Sequence, residues 1–325
     1  MSGILKIILP ICGTGHLLDP IMPGETLRTE PCHGLIVLDK PSGITSRQAV
    51  DVVKRLVRPA KTGHAGTLDP LASGVLVVCI GAATRLIEYV QRMPKRYTGT
   101  FLLGRSSPTE DVEGEISLLP DPPQPTPDAV RRAADRLTGE IMQRPPAFSA
   151  LKVQGRRAYD LARAGHEVEL QPRPITIHRI DVLHYDYPEL TLDIACGSGT
   201  YVRSLGRDLA ESLGTAAVMS ALVRTEIGAF HVRDACPVER LEPQNLDRWL
   251  LPAARALASL PAIALSEEEA QRIANGLTIV RDSAALAKLS AGDELAAFGP
   301  QGKLMGIVAK RPDGGLRAVR NLPPP

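Results

Sequence analysis

GHAGTLDPLASGVLVVCIG (63–81) crowds Gly63, Gly66, Pro70 and Gly74 around one acid, Asp69, and runs straight into an apolar segment of strand length. Glycine and proline at that density mark a loop whose backbone takes special conformations or lies close to a ligand. A carboxylate held there, just ahead of a buried strand, is well placed for reaction, although an Asp-Pro pair also begins many ordinary turns. Neither G-x-x-x-x-G-K-[ST] nor G-x-G-x-x-G occurs, so nucleotide binding is not supported. His64, Asp69 and Ser73 do not make a hydrolase signature, because Ser73 sits in A-S-G and not in a nucleophile elbow. Seven histidines scattered along the chain give no metal-ligand spacing.

On the N-terminal side, GLIVLD (34–39) reads as a strand closed by Pro41, Ser42 and Gly43. Ser46 is placed to cap a helix whose apolar positions Val50, Val53 and Val57 recur at helical spacing. On the C-terminal side, YTGTFLL (97–103) alternates weakly, and Thr126-Pro127 starts a helix with a cap and a proline at its first position. LTLDIAC (190–196) alternates strictly, and the following helix carries Val202, Leu205, Leu209 and Leu213 as its stripe and stops at Gly214. The composition loosens around Pro252–Pro261, after which Ser266 and Glu269 form a capping box and short strands alternate with GPQG and PDGG turns. These signals divide the chain into an N-terminal extension (1–32), a mixed body of helices and strands (33–250) and a small β-rich module (258–325).

At 325 residues the chain is long enough for two domains, and its 44% hydrophobic and 23% charged content is ordinary for a globular protein. No apolar run approaches the roughly 20 residues that span a bilayer. Lys+Arg 38 against Asp+Glu 36 leaves a net charge of +2, so any nucleic-acid surface must come from local clustering. Such clusters exist at Lys54, Arg55, Arg58 and Lys61, at Arg92, Lys95 and Arg96, and between Arg144 and Arg173. Each alone is an ordinary solvated face; three around one loop favour phosphate contacts. Five scattered cysteines with no C-x-x-C pair read as thiols in a reducing cytoplasm.

Five motifs in one order carry a resemblance: GLIVLDKPSGITS (34–46), GHAGTLDPLASGVL (63–76), KRY (95–97), QRPPAFSALKVQGRRAYDLARAG (143–165) and GTYVRSLGRDL (199–209). Together they resemble the bacterial tRNA pseudouridine synthase B family, from about Gly34 to Phe230 and again in the C-terminal module. The resemblance implies an α+β fold, a mixed and largely antiparallel sheet flanked by helices, with a PUA-like RNA-binding module at 258–325. It implies isomerisation of uridine 55 in the T loop of tRNA, with tRNA as partner, no cofactor, no metal, no protein partner and no membrane.

By the same resemblance Asp69 is the catalytic aspartate, Tyr97 stacks on the target base and Arg203 pairs with the aspartate. Tyr201 and Leu222 line the uracil pocket, His64 lies near the extruded nucleotide and Lys40 beside the active site. Read without it, Tyr97 and Leu222 would pass for core and Arg203 for a solvated helix residue. Residues 144–173 resemble the family's mobile loop that closes over RNA. Phe148 stands where tyrosine is usual, and Val223 where arginine is usual in L-x-R-T (222–225). The alanine in GHAGTLDP, where guide-dependent relatives have glycine, favours a stand-alone enzyme.

Overall fold

A computed structural model describes residues 32–149, 151–153, 156–157, 170–281 and 284–322. The first 31 residues and half of the 144–173 stretch therefore lie outside the described residues. In chain order the elements that frame the site are β1 (Gly34–Lys40), α1 (Ser46–Leu56), β2 (Thr62–His64), β3 (Ser73–Ile80), α2 (Ile87–Arg92) and β4 (Lys95–Leu103). Next come α3 (Pro127–Arg136), β5 (Gly139–Gln143), β6 (Arg173–Asp186), β7 (Glu189–Cys196), α4 (Val202–Ser212) and β8 (Ala217–Ile227). Among the described residues they build a ten-stranded sheet, whose main path runs Cys236–Pro237, β1, β3, β8, β4, β7, β6, β5. The body is the expected α+β arrangement: neighbours are antiparallel except β8 with β3 and β1 with Cys236–Pro237.

The parallel join of β3 to β8 is short, with only Val223 opposite Ser73 and Arg224 opposite Gly74. It is a seam between two half-sheets, each with its own core. On one side β3 is covered on both faces: Val75, Val77 and Cys79 pack into one apolar cluster and Leu76, Val78 and Ile80 into another. That explains its unbroken apolar run, since a strand buried on both faces has no polar side to alternate with. On the other side Phe101, Leu192, Ile194, Leu205 and Leu209 form the core beneath α3 and α4. A Cβ on Gly206 would stand 2.2 Å from the Phe101 ring, so the glycine lets α4 lie directly on the sheet.

The start of α1 differs from the sequence expectation. Thr45, not Ser46, is the N-cap: its side chain accepts from Gln48 N–H, and the Gln48 side chain accepts from the Thr45 backbone N–H. Ser46, already inside the helix, uses its hydroxyl elsewhere. Thr126 and Ser266 cap their helices as expected.

The C-terminal module is a four-stranded sheet, β9 (Ala262–Ala264), β10 (Glu294–Phe298), β11 (Leu304–Lys310) and β12 (Leu316–Asn321), with α5 (Glu267–Ala274) packed on it. It also shares a core with the body, where Ala296, Ile307 and Leu322 join Leu86, Tyr89 and Val90. Among the described residues no helix is long and apolar enough to cross a membrane.

Candidate active site

The loop that carries Asp69 hangs at the seam and is held from both sides. Ser46 makes a two-point clasp with Leu68, accepting from its N–H at 2.8 Å and donating to its carbonyl at 2.9 Å. Gly43 N–H donates to Pro70 O at 2.8 Å. Lys40 is fully buried and its ammonium donates to Ile44 O at 2.7 Å, Pro41 O at 2.8 Å and, at 3.5 Å, Pro70 O. From β8, Arg224 donates to Val75 O at 2.8 Å, Gly66 O at 3.0 Å and Thr67 O at 3.4 Å. The loop's carbonyls thus converge on two buried cations, which satisfies polar backbone that would otherwise be orphaned.

Asp69 itself is 40% exposed, while its partner Arg203 is 8% exposed, and they meet at 3.1 Å between Oδ2 and Nη2. Both terminal nitrogens of Arg203 are engaged. Its Nη1 donates to Thr109 O at 2.6 Å and pairs with Asp111 Oδ2 at 3.3 Å; Nη2 also donates to Phe148 O at 3.1 Å. A cation in the first turn of α4 opposes the helix dipole, so two carboxylates beside it supply the compensation. The bridge Asp69–Arg203–Asp111 fixes the plane of the guanidinium and, through it, the orientation of Asp69.

Asp69 opens on a pocket of about 470 Å³ whose walls include Tyr97, Tyr201, Leu222, Arg203, Lys95, Phe148, Arg173 and Arg224. Cross-strand register brings Tyr97 opposite Arg224 and Leu222 opposite Gly99. Tyr201 is oriented by Gln143, which accepts from its N–H at 2.9 Å and donates to its carbonyl at 3.0 Å, and by Arg173, 5.1 Å from the ring centre. Burial pushes the Tyr97 phenol up, an effect that the neighbouring Arg224 opposes. Burial, then Arg224, pulls Lys95 down to about 8. Burial also holds Lys40 down at about 8, against the pull of Asp69. Three further cations with one half-exposed carboxylate give the pocket the sign to receive an anionic backbone and the means to keep a single carboxylate in place.

Five of the seven residues singled out from sequence therefore share one pocket: Asp69, Tyr97, Tyr201, Arg203 and Leu222. Lys40 and His64 are not among its walls. Lys40 lies beneath the loop, and His64 is on β2, opposite Val78, its imidazole pulled down by burial and then by Arg224. Val223 alternates away from Leu222 and Arg224, so the arginine missing there leaves the pocket walls intact. Sequence reasoning missed Arg224, Asp111, Gln143 and the use of the Ser46 hydroxyl. Only Arg224 left a signal, as a charge within a β-type run bound to be half buried.

Residues 54–202 match the family described as TruB family pseudouridylate synthase (N terminal domain). The protein named tRNA pseudouridine synthase B of Arthrobacter sp. (strain FB24) is 44% identical over 285 residues, covering 85% of this chain and 92% of that one. The chain belongs to the TruB family of pseudouridylate synthases. Its namesake relative from Clostridium tetani (strain Massachusetts / E88) is 35% identical over 282 residues, covering 87% of this chain and 97% of the other. The same fold occurs in solved structures. A chain of the archaeal box H/ACA sRNP Nop10–Cbf5 complex superposes with a TM-score of 0.66 at 23% identity, covering 86% of this chain and 80% of that one. A chain of an H/ACA RNP bound to a substrate RNA containing 2'-deoxyuridine gives 0.66 at 21% identity, with 94% of each chain covered.

Proposed function

We propose that this chain converts uridine 55 in the T loop of tRNA to pseudouridine, with Asp69 as the catalytic carboxylate. The observation that carries this reading is the Asp69–Arg203 pair, 3.1 Å apart, at a pocket lined by Tyr97, Tyr201 and Leu222. The N1–C1′ bond breaks, the uracil turns and C5 bonds to C1′; C5 gives up its proton and N1 gains one. A carboxylate suits such chemistry because it attacks, or stabilises, a cationic sugar carbon. Arg203 pairs with Asp69 and orients it. Tyr97 stacks on the base, Tyr201 and Leu222 enclose it, and Lys40 supports the loop from below. His64 lies toward the nucleotide that leaves the tRNA stack.

A uridine inside a folded loop must be flipped out, at a cost of a few kcal/mol that phosphate contacts offset. Exposed Lys54, Arg55, Arg58 and Lys61, next to the Asp69 loop, suit those contacts, as do the module at 258–325 and the 144–173 stretch. The names of the relatives support tRNA as substrate. The alanine in GHAGTLDP supports action without guide RNA or protein partner, and the scattered cysteines support a cytoplasmic setting. The test uses only the protein and a T-arm transcript tritiated at C5 of uridine. Tritium release is expected, and none from a transcript with cytidine at position 55. Binding without release would make the chain an RNA-binding protein instead.

A further inference from the structure

We propose that Glu110 and Arg207 form a positioning couple that holds Arg203, and through it Asp69, in register. The inference rests on the function proposed above. Arg203 and Arg207 are one turn apart on α4, so both guanidiniums leave the same face of the helix. Each bridges the same two segments. Arg203 donates to Thr109 O at 2.6 Å and Phe148 O at 3.1 Å. Arg207 binds the Glu110 carboxylate and donates to Arg144 O at 2.9 Å. The two arginines thus make a ladder that ties the 107–111 loop and the 144–148 segment to α4.

The upper rung ends at the catalytic carboxylate; the lower rung touches nothing in the pocket. Glu110 is nevertheless built with care. Its side chain is 13% exposed, its second oxygen accepts from Ser204 Oγ at 2.6 Å, and its backbone is left-handed at φ 61°, where non-glycine residues are uncommon. Its carbonyl accepts from Met219 N–H at 3.0 Å, and Val112 N–H donates to Met219 O at 3.0 Å. The residue in between, Asp111, is the one that pairs with Arg203 at 3.3 Å. Glu110 therefore sets where Asp111 and the Thr109 carbonyl lie, and these are two of the four contacts that orient Arg203. Burial raises the Glu110 carboxyl, and Arg207 and Ser204 oppose that shift only in part.

The experiment compares Glu110→Gln and Arg207→Lys with the wild type, each also combined with Asp111→Asn. Glu110→Gln keeps the shape of the side chain but loses the charge; Arg207→Lys keeps the charge but loses the fork that spans the two segments. Single-turnover rates on the T-arm transcript should fall about ten- to a hundredfold in each, the scale of a misplacement acting from outside the chemistry, with the RNA Kd unchanged. In the Asp111→Asn background neither variant should slow the reaction much further, because all three changes loosen the same support. Full multiplicative loss there would overturn the couple and leave a general stability role. Hydrogen exchange of the 107–113 peptide, without RNA, gives a readout independent of turnover and should be faster in both variants. A wild type without turnover would sink the proposed function and leave exchange to decide the couple. Unchanged exchange overturns it, as does an active wild type whose variants keep their rate.

Discussion

Asp69 reaches its place because neighbouring side chains bind the backbone on either side of it, and its reactivity should depend on charge more than on shape. Asp69→Asn is expected to retain tRNA affinity and the folded loop while turnover falls to background; substantial residual tritium release would refute the carboxylate mechanism. Lys40 allows a test of the loop's support. Its ammonium, held down at about 8 by burial, is charged below that pH and neutral above it. An unfolded lysine keeps its proton to about 10.5, so between about 8 and 10.5 the unfolded chain binds more protons than the folded one. The stability difference between wild type and Lys40→Met should therefore rise with pH across that window. Turnover attributable to Lys40 should move the opposite way, because the neutral amine gives up one of the donors holding Ile44 O, Pro41 O and Pro70 O. Urea unfolding and single-turnover rates from pH 7 to 10 measure both, and a flat stability difference would show that burial does not depress Lys40. The residues that share the pocket were legible because distinctive motifs surround them. The residues that hold them were harder to read: Arg224 shows only as a charge in a β-type run, and Asp111 acts through a contact that only the fold creates.

Adjacent elements separate capping from loop support with unusual clarity at Thr45 and Ser46. Thr45 caps α1, so Thr45→Ala should cost about 1 kcal/mol of stability and leave the rate per folded molecule nearly unchanged. Ser46 is 3% exposed and satisfies both backbone groups of Leu68. Ser46→Ala should cost about 1–3 kcal/mol, the usual penalty for buried partners left unpaired, and should also slow turnover, since Asp69 is the next residue. Thermal melts and single-turnover rates on the two alanine variants distinguish these roles; equal rate losses would contradict the assignment. Sequence alone could not choose between two neighbouring hydroxyls, because either suits an N-cap and the choice is made by the loop waiting opposite Ser46. The seam offers a harsher probe. Gly74 sits at φ +98°, and a Cβ there would lie 2.3 Å from Arg224 O. Gly74→Ala should therefore cost more than the roughly 1–2 kcal/mol of left-handed strain, because it also wedges β3 from β8 at one of their two rungs. A variant with wild-type melting would mean that the seam yields freely. The weak alternation of YTGTFLL has a related origin. On β4 the buried row is Lys95, Tyr97, Gly99, Phe101 and Leu103, and a lysine and a glycine hide the apolar period.

At the scale of the whole molecule, a strand begins at Ala262, just past the loosened composition of Pro252–Pro261, but composition gave no sign of how firmly the residues on either side are joined. Leu86, Tyr89 and Val90 are at most 3% exposed, and they share a cluster with Ala296, Ile307 and Leu322 of the module. Polar contacts rim that cluster: Tyr89 donates its hydroxyl proton to Glu294 at 3.0 Å, Arg320 pairs with Glu88 at 3.0 Å, and Arg85 donates to Asn321 O at 2.5 Å. The exposed ion pairs at the rim add little, so the apolar cluster decides the energetics. Each large side chain it buries contributes about 1.5–3 kcal/mol, which sums to a sizeable fraction of a domain's 5–15 kcal/mol. The full chain should therefore unfold in one transition, with the fluorescence of Trp249, the only tryptophan and a residue of the body, coinciding with far-UV circular dichroism. A chain ending at residue 260 should melt well below the full-length protein, because it bares Leu86, Tyr89 and Val90 to water. Loss of RNA binding in that truncated chain would then reflect a damaged body as much as a missing module. Replacing Lys303 and Arg317, both exposed on the module, with glutamine is the cleaner probe, since neither belongs to the shared cluster. That variant should melt like wild type yet bind tRNA more weakly and with a shallower salt dependence, by about one phosphate contact for each charge removed. Two resolved unfolding transitions in the full chain would sink the shared-core argument, and an unchanged salt slope in the double glutamine variant would remove these two side chains from the RNA surface.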